Sequence, residues 1–418
     1  MSATGNEIFG WLRSASVDQR RTLLAASLGW MLDSMDVMLY TLVLGQVQRE
    51  MHLSAAMSGA MMSATLVSAA AGGIAFGWIA DRFGRVRALT WSILGYSVFT
   101  ALCGLAQSPW QFLLCRILLG LGMGGEWASG AAMVAEIWPA HYRAKALSVV
   151  QSSWAVGYAA GAGLVALILP HFGWRAVFFA GIAPALIAVW LQRTLHEPVE
   201  WTSKHASRPP IAELFRGALG RSLLVCSAMN AAALFAYWGL FTWMPHFLSQ
   251  PVAAGGHGLS IVATSGWTIL IQTGTFVGYV SFGYLADRFG RKPVYIGYLL
   301  AAAGLAPLFA FVDSPALLLV IGPLVGFFGT GYFSGFSVIS SELFPAPLRG
   351  SAMGFAYNIG RLASAAAPYA IGKISEAADL RLALSITAAG FLAAALIATQ
   401  LRLSAPPAVR EVAPAEAG

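Results

Sequence analysis

Charge is what this chain has least of. Asp, Glu, Lys and Arg make up 10% of its 418 residues, against about 25% in soluble domains, while hydrophobic residues make up 58%. So few charges cannot keep a surface of that size wetted, which excludes a soluble globular protein and makes the lipid bilayer the solvent. Cysteine is scarce as well. Cys103, Cys115 and Cys226 lie inside apolar runs, with neither metal-ligand spacing nor an even number for disulfides, so they read as packing residues. Basic residues form no single patch. The net charge of +7 is spread over the ends of apolar segments, which argues against nucleic acid and reads as membrane topology. No metal cluster, catalytic triad or cofactor loop stands out, which argues against an enzyme. The residues ahead of the first apolar run, Glu7, Asp18, Arg20 and Arg21 among them, lack a cleavable signal pattern.

What the chain does contain is a repeat. Gly77 to Arg85 reads GWIADRFGR and Gly283 to Arg291 reads GYLADRFGR, an offset of 206 residues. The same offset carries Glu136, Pro139 and Arg143 onto Glu342, Pro345 and Arg349. Two unrelated phrases sharing one offset make the chain two copies of one unit. A duplicated apolar chain points to a transporter whose site lies between its halves.

Twelve apolar runs reach spanning length, from 22–47 to 380–401. Each is close to or above the roughly 20 residues a bilayer requires. The expectation is an all-α membrane protein of twelve transmembrane helices in two pseudo-symmetric six-helix bundles, 1–195 and 222–402. A cytoplasmic linker, 196–221, holds Pro198, Pro209 and Pro210, and a disordered cytoplasmic tail follows at 403–418. With both termini in the cytoplasm, nineteen Lys and Arg residues fall on the inner side and four on the outer, a clear positive-inside bias. This places the chain as a multi-pass protein of the cell (inner) membrane.

Charges inside spans are expensive, about 2.5–3.5 kcal/mol each at a helix centre, and are functional candidates for that reason. Asp33 and Asp36 are three apart on the first span and share a face. At about 1.5 Å of rise per residue, Asp33 falls near the level of Glu126 on the fourth span, and Asp36 nearer that of Arg116. The expected arrangement is an Asp36–Arg116 ion pair beside an Asp33–Glu126 carboxylate pair. Two carboxylates held together in low dielectric repel, so one is poised to take and release a proton. A fixed cluster that only registers the two helices is the other reading. Arg361, mid-span in Y-N-I-G-R-L, has no comparable acid in its own half and calls for an anion, met bidentately by a substrate carboxylate; pairing with backbone carbonyls or with an aspartate of the first span across the cavity is the other reading. Tyr357, Asn358, Gln151, Trp154, Asn230, Tyr237 and Gln272, with Arg116, are the further substrate-binding candidates. Gly120, Gly122, Gly124 and Gly125 sit in an apolar helix with no preceding strand, and read as helix packing rather than a phosphate loop.

The repeated loops supply candidate gate residues: Asp81, Arg82, Arg85, Glu136 and Arg143 in the first half, Asp287, Arg288, Arg291, Glu342 and Arg349 in the second. A charge network there either latches the inner gate or braces a static loop. With G-x-x-x-D-R-x-G-R twice at the repeat spacing, the chain resembles the major facilitator superfamily over essentially its whole length. D-S-M-D in the first span, R-I-L-L-G-L-G-M-G-G-E-W from Arg116 to Trp127, and L-H-E-P-V-E-W from Leu195 narrow the resemblance. Together they are similar to the proton symporters for organic acids and metabolites. The aromatic-acid branch usually has glycine after the first aspartate, where this chain has Ser34, while G-G-E-W is similar to the metabolite, sialic-acid and lactate branches.

The resemblance implies proton-coupled uptake of a carboxylate such as sialic acid, lactate or an aromatic acid. It also implies no cofactor beyond the coupling proton and no obligate protein partner, the chain working as a monomer. A passive facilitator would not need the acids of the first span. An antiport exporter usually carries G-x-x-x-G-P in the fifth span, where this chain has Ala162 in place of the proline. A non-transporting nutrient receptor usually carries a longer cytoplasmic extension than the residues after Leu401.

Overall fold

The computed structural model describes residues 10–186, 190 and 211–401, so 196–210 of the linker and the 403–418 tail lie outside the described residues. So do the side chains of Asp81, Arg85 and Glu136. A helical turn, α1 (Gly10–Arg13), leads into α2 (Val17–Met51), α3 (Ala55–Phe83), α4 (Arg85–Cys103), α5 (Pro109–Ile137) and α6 (Ala140–Ala180). The second half holds α7 (Gly217–Ser249), α8 (Ile261–Phe289), α9 (Arg291–Phe311), α10 (Pro315–Leu343), α11 (Ala346–Ser364), α12 (Ala366–Ala377) and α13 (Leu380–Ala398). Among the described residues, nine helices are long and apolar enough to cross a membrane.

The other three of the twelve expected spans have identifiable forms. One is α5, which carries Arg116 and Glu126 in its interior. Another is the second limb of α6, which reverses at Gly173 (φ 76°, ψ 174°) just after Pro170, so the fifth and sixth spans meet in a tight turn. Glu50, at the end of α2, clamps that turn by pairing with Arg175 and accepting from the Trp174 indole at 2.5 Å. The last is the pair α11 and α12, broken at Ala365 three residues before Pro368. Pro368 has no N–H to offer the carbonyl four residues back.

The 206-residue offset governs the local structure as well as the motifs. Ser54 and Ser260, and Ser108 and Ser314, are offset pairs of N-caps, each accepting from the backbone N–H three residues on. Gly84 (φ 110°) and Gly290 (φ 89°) make the reversals after the two ADRF phrases, a backbone region that favours glycine. Gly120 lies against the Thr65 carbonyl where α5 crosses α3, and its offset partner Gly326 lies against the Ile271 carbonyl where α10 crosses α8. Gly72 against Leu121 and Gly278 against Phe327 repeat the relation. Without side chains at these points the helix backbones approach closely, which is how apolar helices gain packing energy in lipid.

Across the halves, α6 packs on α8 and α3 on α12, with α2 meeting α7. The halves are joined at the end where α2 finishes. There Gly59 meets the Pro368 backbone, Gly372 meets the Ala55 backbone, and Gly45 faces the His246 ring. Glu376 of α12 accepts the Ala56 N–H of α3 at 2.8 Å.

Overpacking a close helix crossing costs about 1–3 kcal/mol. Gly120→Val and Gly326→Val are therefore each expected to lower the thermal midpoint of the purified protein. Gly163→Ala, where an added Cβ meets nothing, should leave it unchanged. Equal midpoints for all three would remove the packing role given to the repeated glycines.

Candidate functional site

Three buried ionisable side chains from both halves converge at mid-height. Asp33 on α2 and Glu126 on α5 are each 1% exposed, and Arg361 on α11 is 2% exposed. Asp33 and Glu126 lie within Coulombic reach of each other and of Arg361. Asp33 Oδ2 and Glu126 Oε2 have no hydrogen-bond donor among the described residues. Glu126 lies along Gly29, where a Cβ would strike its carboxylate, so a glycine one turn before Asp33 makes room for the acid. Arg361 donates to the Tyr357 hydroxyl at 3.3 Å and its guanidinium lies 4.9 Å from that ring's centre. Its counter-charge therefore lies across the interface, in the other half.

Tyr357 separates this charge cluster from a central cavity. Trp30, Gln151 and Trp154 line it from the first half, and Leu234, Tyr237, Trp238, Tyr279, Phe333 and Tyr357 from the second. Gln151 and Tyr357 are themselves related by the 206-residue offset. The cavity is nearly collapsed, with a volume of about 10 Å³, room for roughly one water molecule. Trp30 and Trp154 pack tilted at 4.7 Å, and Trp154 and Trp238 meet edge to face at 6.3 Å. A ligand of several carbons enters only when these aromatic walls part.

Of the substrate-binding candidates, Gln151, Trp154, Tyr237 and Tyr357 line the cavity. The remainder do not line it. Asn230 donates to the Ala356 carbonyl at 3.4 Å in the α7–α11 seam, and Asn358 packs against Gly73 between α11 and α3. Gln272 is buried on α8 with both amide atoms unpartnered. Trp30, Tyr279 and Phe333 were not singled out from the sequence. Trp30 is three residues before Asp33, and Tyr279 lies two helical turns beyond Gln272, so a shared helical face was the available signal.

Asp36 and Arg116 differ most from expectation, because they form no direct ion pair. Asp36 faces the interior of the first half, where Thr100 of α4 donates to its Oδ2 at 3.2 Å and its Oδ1 is left unpartnered. Arg116 lies over the Tyr40 ring at 4.7 Å and donates to Met62 Sδ at 3.2 Å, with Nε and Nη1 unpartnered. The two charges act on each other only at longer range. Arg116, wholly buried in one bundle, is also not at the cavity.

At the repeated loops, Arg291 Nε sits 2.5 Å from Glu342 Oε1 and Arg291 Nη2 sits 3.9 Å from Asp287, so the second half holds a charge network. Arg349 donates to the Phe344 carbonyl at 3.4 Å and acts on Glu342 at longer range. Arg288 lies over Phe289, Arg82 over Trp78 and Phe83, and Arg143 donates to the Trp138 carbonyl. Among the described residues, no group of three or more His, Cys, Asp or Glu side chains is placed to hold a metal.

Two helical bundles related by an internal repeat, enclosing an aromatic-lined cavity beside buried charges, define a membrane carrier. A model of the Major Facilitator Superfamily matches residues 26–281 and again 248–418, and the chain belongs to that superfamily. It is a multi-pass membrane transporter, not an enzyme. The chain is 34% identical over 378 residues to a probable 4-methylmuconolactone transporter of Cupriavidus pinatubonensis, covering 88% of this chain and 86% of that one. It is 32% identical over 385 residues to the cis,cis-muconate transport protein of Acinetobacter baylyi, covering 90% and 92%. The crystal structure of a D-xylose-proton symporter superposes with a TM-score of 0.75 over 91% of this chain and 97% of that one. At 20% identity that likeness is one of fold.

The Ala56 N–H, helped by Ser54, holds the Glu376 carboxyl below its ordinary value of 4.5. A depressed carboxyl stabilises the folded clamp above pH 4.5, and that contribution is lost as the pH falls through the folded value. The thermal midpoint of the native protein is therefore expected to exceed that of Glu376→Gln at neutral pH and to converge on it below pH 4.5. A difference that persists unchanged in acid would remove the carboxylate from the clamp.

Proposed function

We propose that this transporter is a symporter carrying a proton inward with an organic carboxylate, by alternating access of its two halves. One observation carries the reading: Arg361 of one half has its counter-charge in Asp33 and Glu126 of the other, directly behind an aromatic cavity. A substrate carboxylate entering that cavity competes with the two acids for the same guanidinium. With Asp33 and Glu126 sharing one proton the cluster is neutral; once the substrate holds Arg361, the remaining carboxylate loses its counter-ion in low dielectric, and one further proton restores neutrality. Binding of anion and proton then favours joint movement, because either alone leaves a buried charge unpaired.

Asp36 contributes to proton movement from a separate position, beside Thr100 and at longer range from Arg116. Tyr237 accepts from Trp154, which leaves its own hydroxyl proton free for a substrate oxygen. Gln151 and Tyr357 complete the polar lining. With three indoles, Leu234 and Phe333 around one amide and three phenols, the cavity suits a flat unsaturated or aromatic acid better than a polyhydroxylated sugar acid. The relatives that carry muconate and 4-methylmuconolactone support that class. The Arg291–Glu342–Asp287 network serves in the inner latch, a role the repeat assigns by sequence to Asp81, Arg85 and Glu136 as well. The Lys and Arg distribution supports a cell-membrane location with both termini in the cytoplasm. One chain holds both halves of the pathway, so it acts as a monomer.

The test uses proteoliposomes in weak buffer with an external pH electrode, dosed with cis,cis-muconate, benzoate, lactate, sialic acid and xylose in turn. Alkalinisation with an unsaturated acid is the expected result. Arg361→Lys should weaken apparent affinity about tenfold or more, the worth of a charged hydrogen bond. Asp33→Asn should abolish alkalinisation while tracer exchange of the acid continues. An unchanged affinity in Arg361→Lys sinks the substrate role of the arginine, and alkalinisation surviving in both Asp33→Asn and Glu126→Gln sinks the coupling role of the acids.

A further inference from the structure

Two polar links cross between the halves one helical turn apart, joining α6 to α7 beside the cavity. In the first, the Trp154 indole donates to the Tyr237 hydroxyl at 2.8 Å. In the second, the Tyr158 hydroxyl donates to the Phe241 carbonyl at 3.3 Å. Trp154 and Tyr158 are four residues apart on one helix, and Tyr237 and Phe241 four apart on the other, so the links form two rungs at matching heights. Both rungs are backed by α2, the helix of the acids. Ser34, between Asp33 and Asp36, donates to the Trp154 carbonyl at 2.7 Å, and Thr41 Oγ1 lies 3.4 Å from the Tyr158 hydroxyl. A serine within a helix commonly donates to its own helix one turn back. Ser34 instead reaches another helix, which ties Trp154 to the acidic segment.

We infer that these rungs are the latch that closes the cavity toward the end where α2 finishes, and that Ser34 and Thr41 hold it in register with the acidic helix. Several features support a latch rather than simple packing. The bonds join parts of the molecule that must separate for the cavity to open on that side. They are buried, so each is made in low dielectric and breaking one leaves a polar group to be rehydrated. Tyr237 also stacks on Phe241 at 4.8 Å and meets Phe333 edge-on at 5.2 Å, so its hydroxyl is aimed by its own half. The rungs stand on the path from the cavity to the Glu376 clamp, which closes the same end. The rungs close the cavity whatever the substrate is.

Thr242 reports on the latch. It lies one turn beyond Trp238 on the same helical face, is 1% exposed, and its hydroxyl has no partner. In detergent-purified Thr242→Cys protein with Cys103, Cys115 and Cys226 changed to alanine, a water-soluble maleimide should label slowly. Trp154→Phe or Tyr237→Phe, each retaining an aromatic ring, should speed labelling about three- to tenfold, as expected for one hydrogen bond. Because both remove the same bond, Trp154→Phe/Tyr237→Phe together should label no faster than either alone, while adding Tyr158→Phe should give a further rise. Tyr298→Phe, whose hydroxyl meets Ser281 inside one half, should leave the rate unchanged. Labelling unchanged in every variant, single effects that multiply in the Trp154/Tyr237 double variant, or an equal rise in Tyr298→Phe overturns the latch. Loss of transport in Arg361→Lys would bear on the proposed function and leave these rates untouched.

Discussion

A guanidinium held at mid-membrane with its counter-charge on the other half of the molecule is the constraint from which the rest follows. Arg361 cannot be neutralised within its own bundle: its one described side-chain hydrogen bond there is to Tyr357, an uncharged phenol. Asp33 and Glu126 supply the negative charge, yet each keeps an unpartnered oxygen. The cluster is thus over-supplied with acid and under-supplied with donors. In a soluble protein water would fill the gap. Here every unpaired charge carries a penalty of kcal/mol size, so the arrangement favours any ligand that changes the balance. The aromatic cavity on the far side of Tyr357 is where such a ligand arrives.

Set against the internal repeat, scaffold and chemistry part company. Residues 206 apart keep the scaffold: Ser54 and Ser260 as caps, Gly84 and Gly290 as turns, Gly120 and Gly326 as close crossings. The ionisable residues buried within the spans do not repeat. Asp33 corresponds to Gly239, Asp36 to Thr242, Arg116 to Gly322, Glu126 to Tyr332, and Arg361 to Ala155. Packing demands are the same in both bundles, because both solve the same problem of joining apolar helices in lipid. A site between the bundles has no such requirement. Opposite charges on opposite halves attract, whereas a symmetric site would place like charges face to face.

The sequence carried the fold almost completely, since hydrophobic run length and the offset are properties of the chain itself. It carried the charged residues too, since a buried charge in an apolar helix is conspicuous. It did not carry their direction. Asp33 and Asp36 share a helical face by spacing, but a face about 60° wide takes in both the cavity seam and the interior of one bundle. Thr100 captures Asp36 on the inner side of that face, and Tyr40 captures Arg116, so the expected ion pair opens. Aromatic lining was harder still. Phe, Trp and Tyr are 12% of the chain and serve lipid contact, helix packing and cavity walls alike. Trp78 is 60% exposed and Trp30 2%, and nothing in their local sequence separates a residue facing lipid from one lining the site.

The collapsed state of the cavity links this charge arrangement to movement. Its walls come from both halves, so the space for a substrate is set by how far apart the halves stand rather than by the fold of either one. When the walls meet, Trp154 bonds Tyr237 and the aromatic rings cover one another. When they part, those bonds are lost and apolar surface is wetted, unless a ligand of matching shape replaces both. A flat acid offers ring or diene faces to the indoles and a carboxylate to the buried cation. A hydrated ion offers neither, which is how one cavity can exclude small anions while its arginine remains charged. Selectivity on this view lies in the cost of opening, and the buried charges decide which occupants offset it.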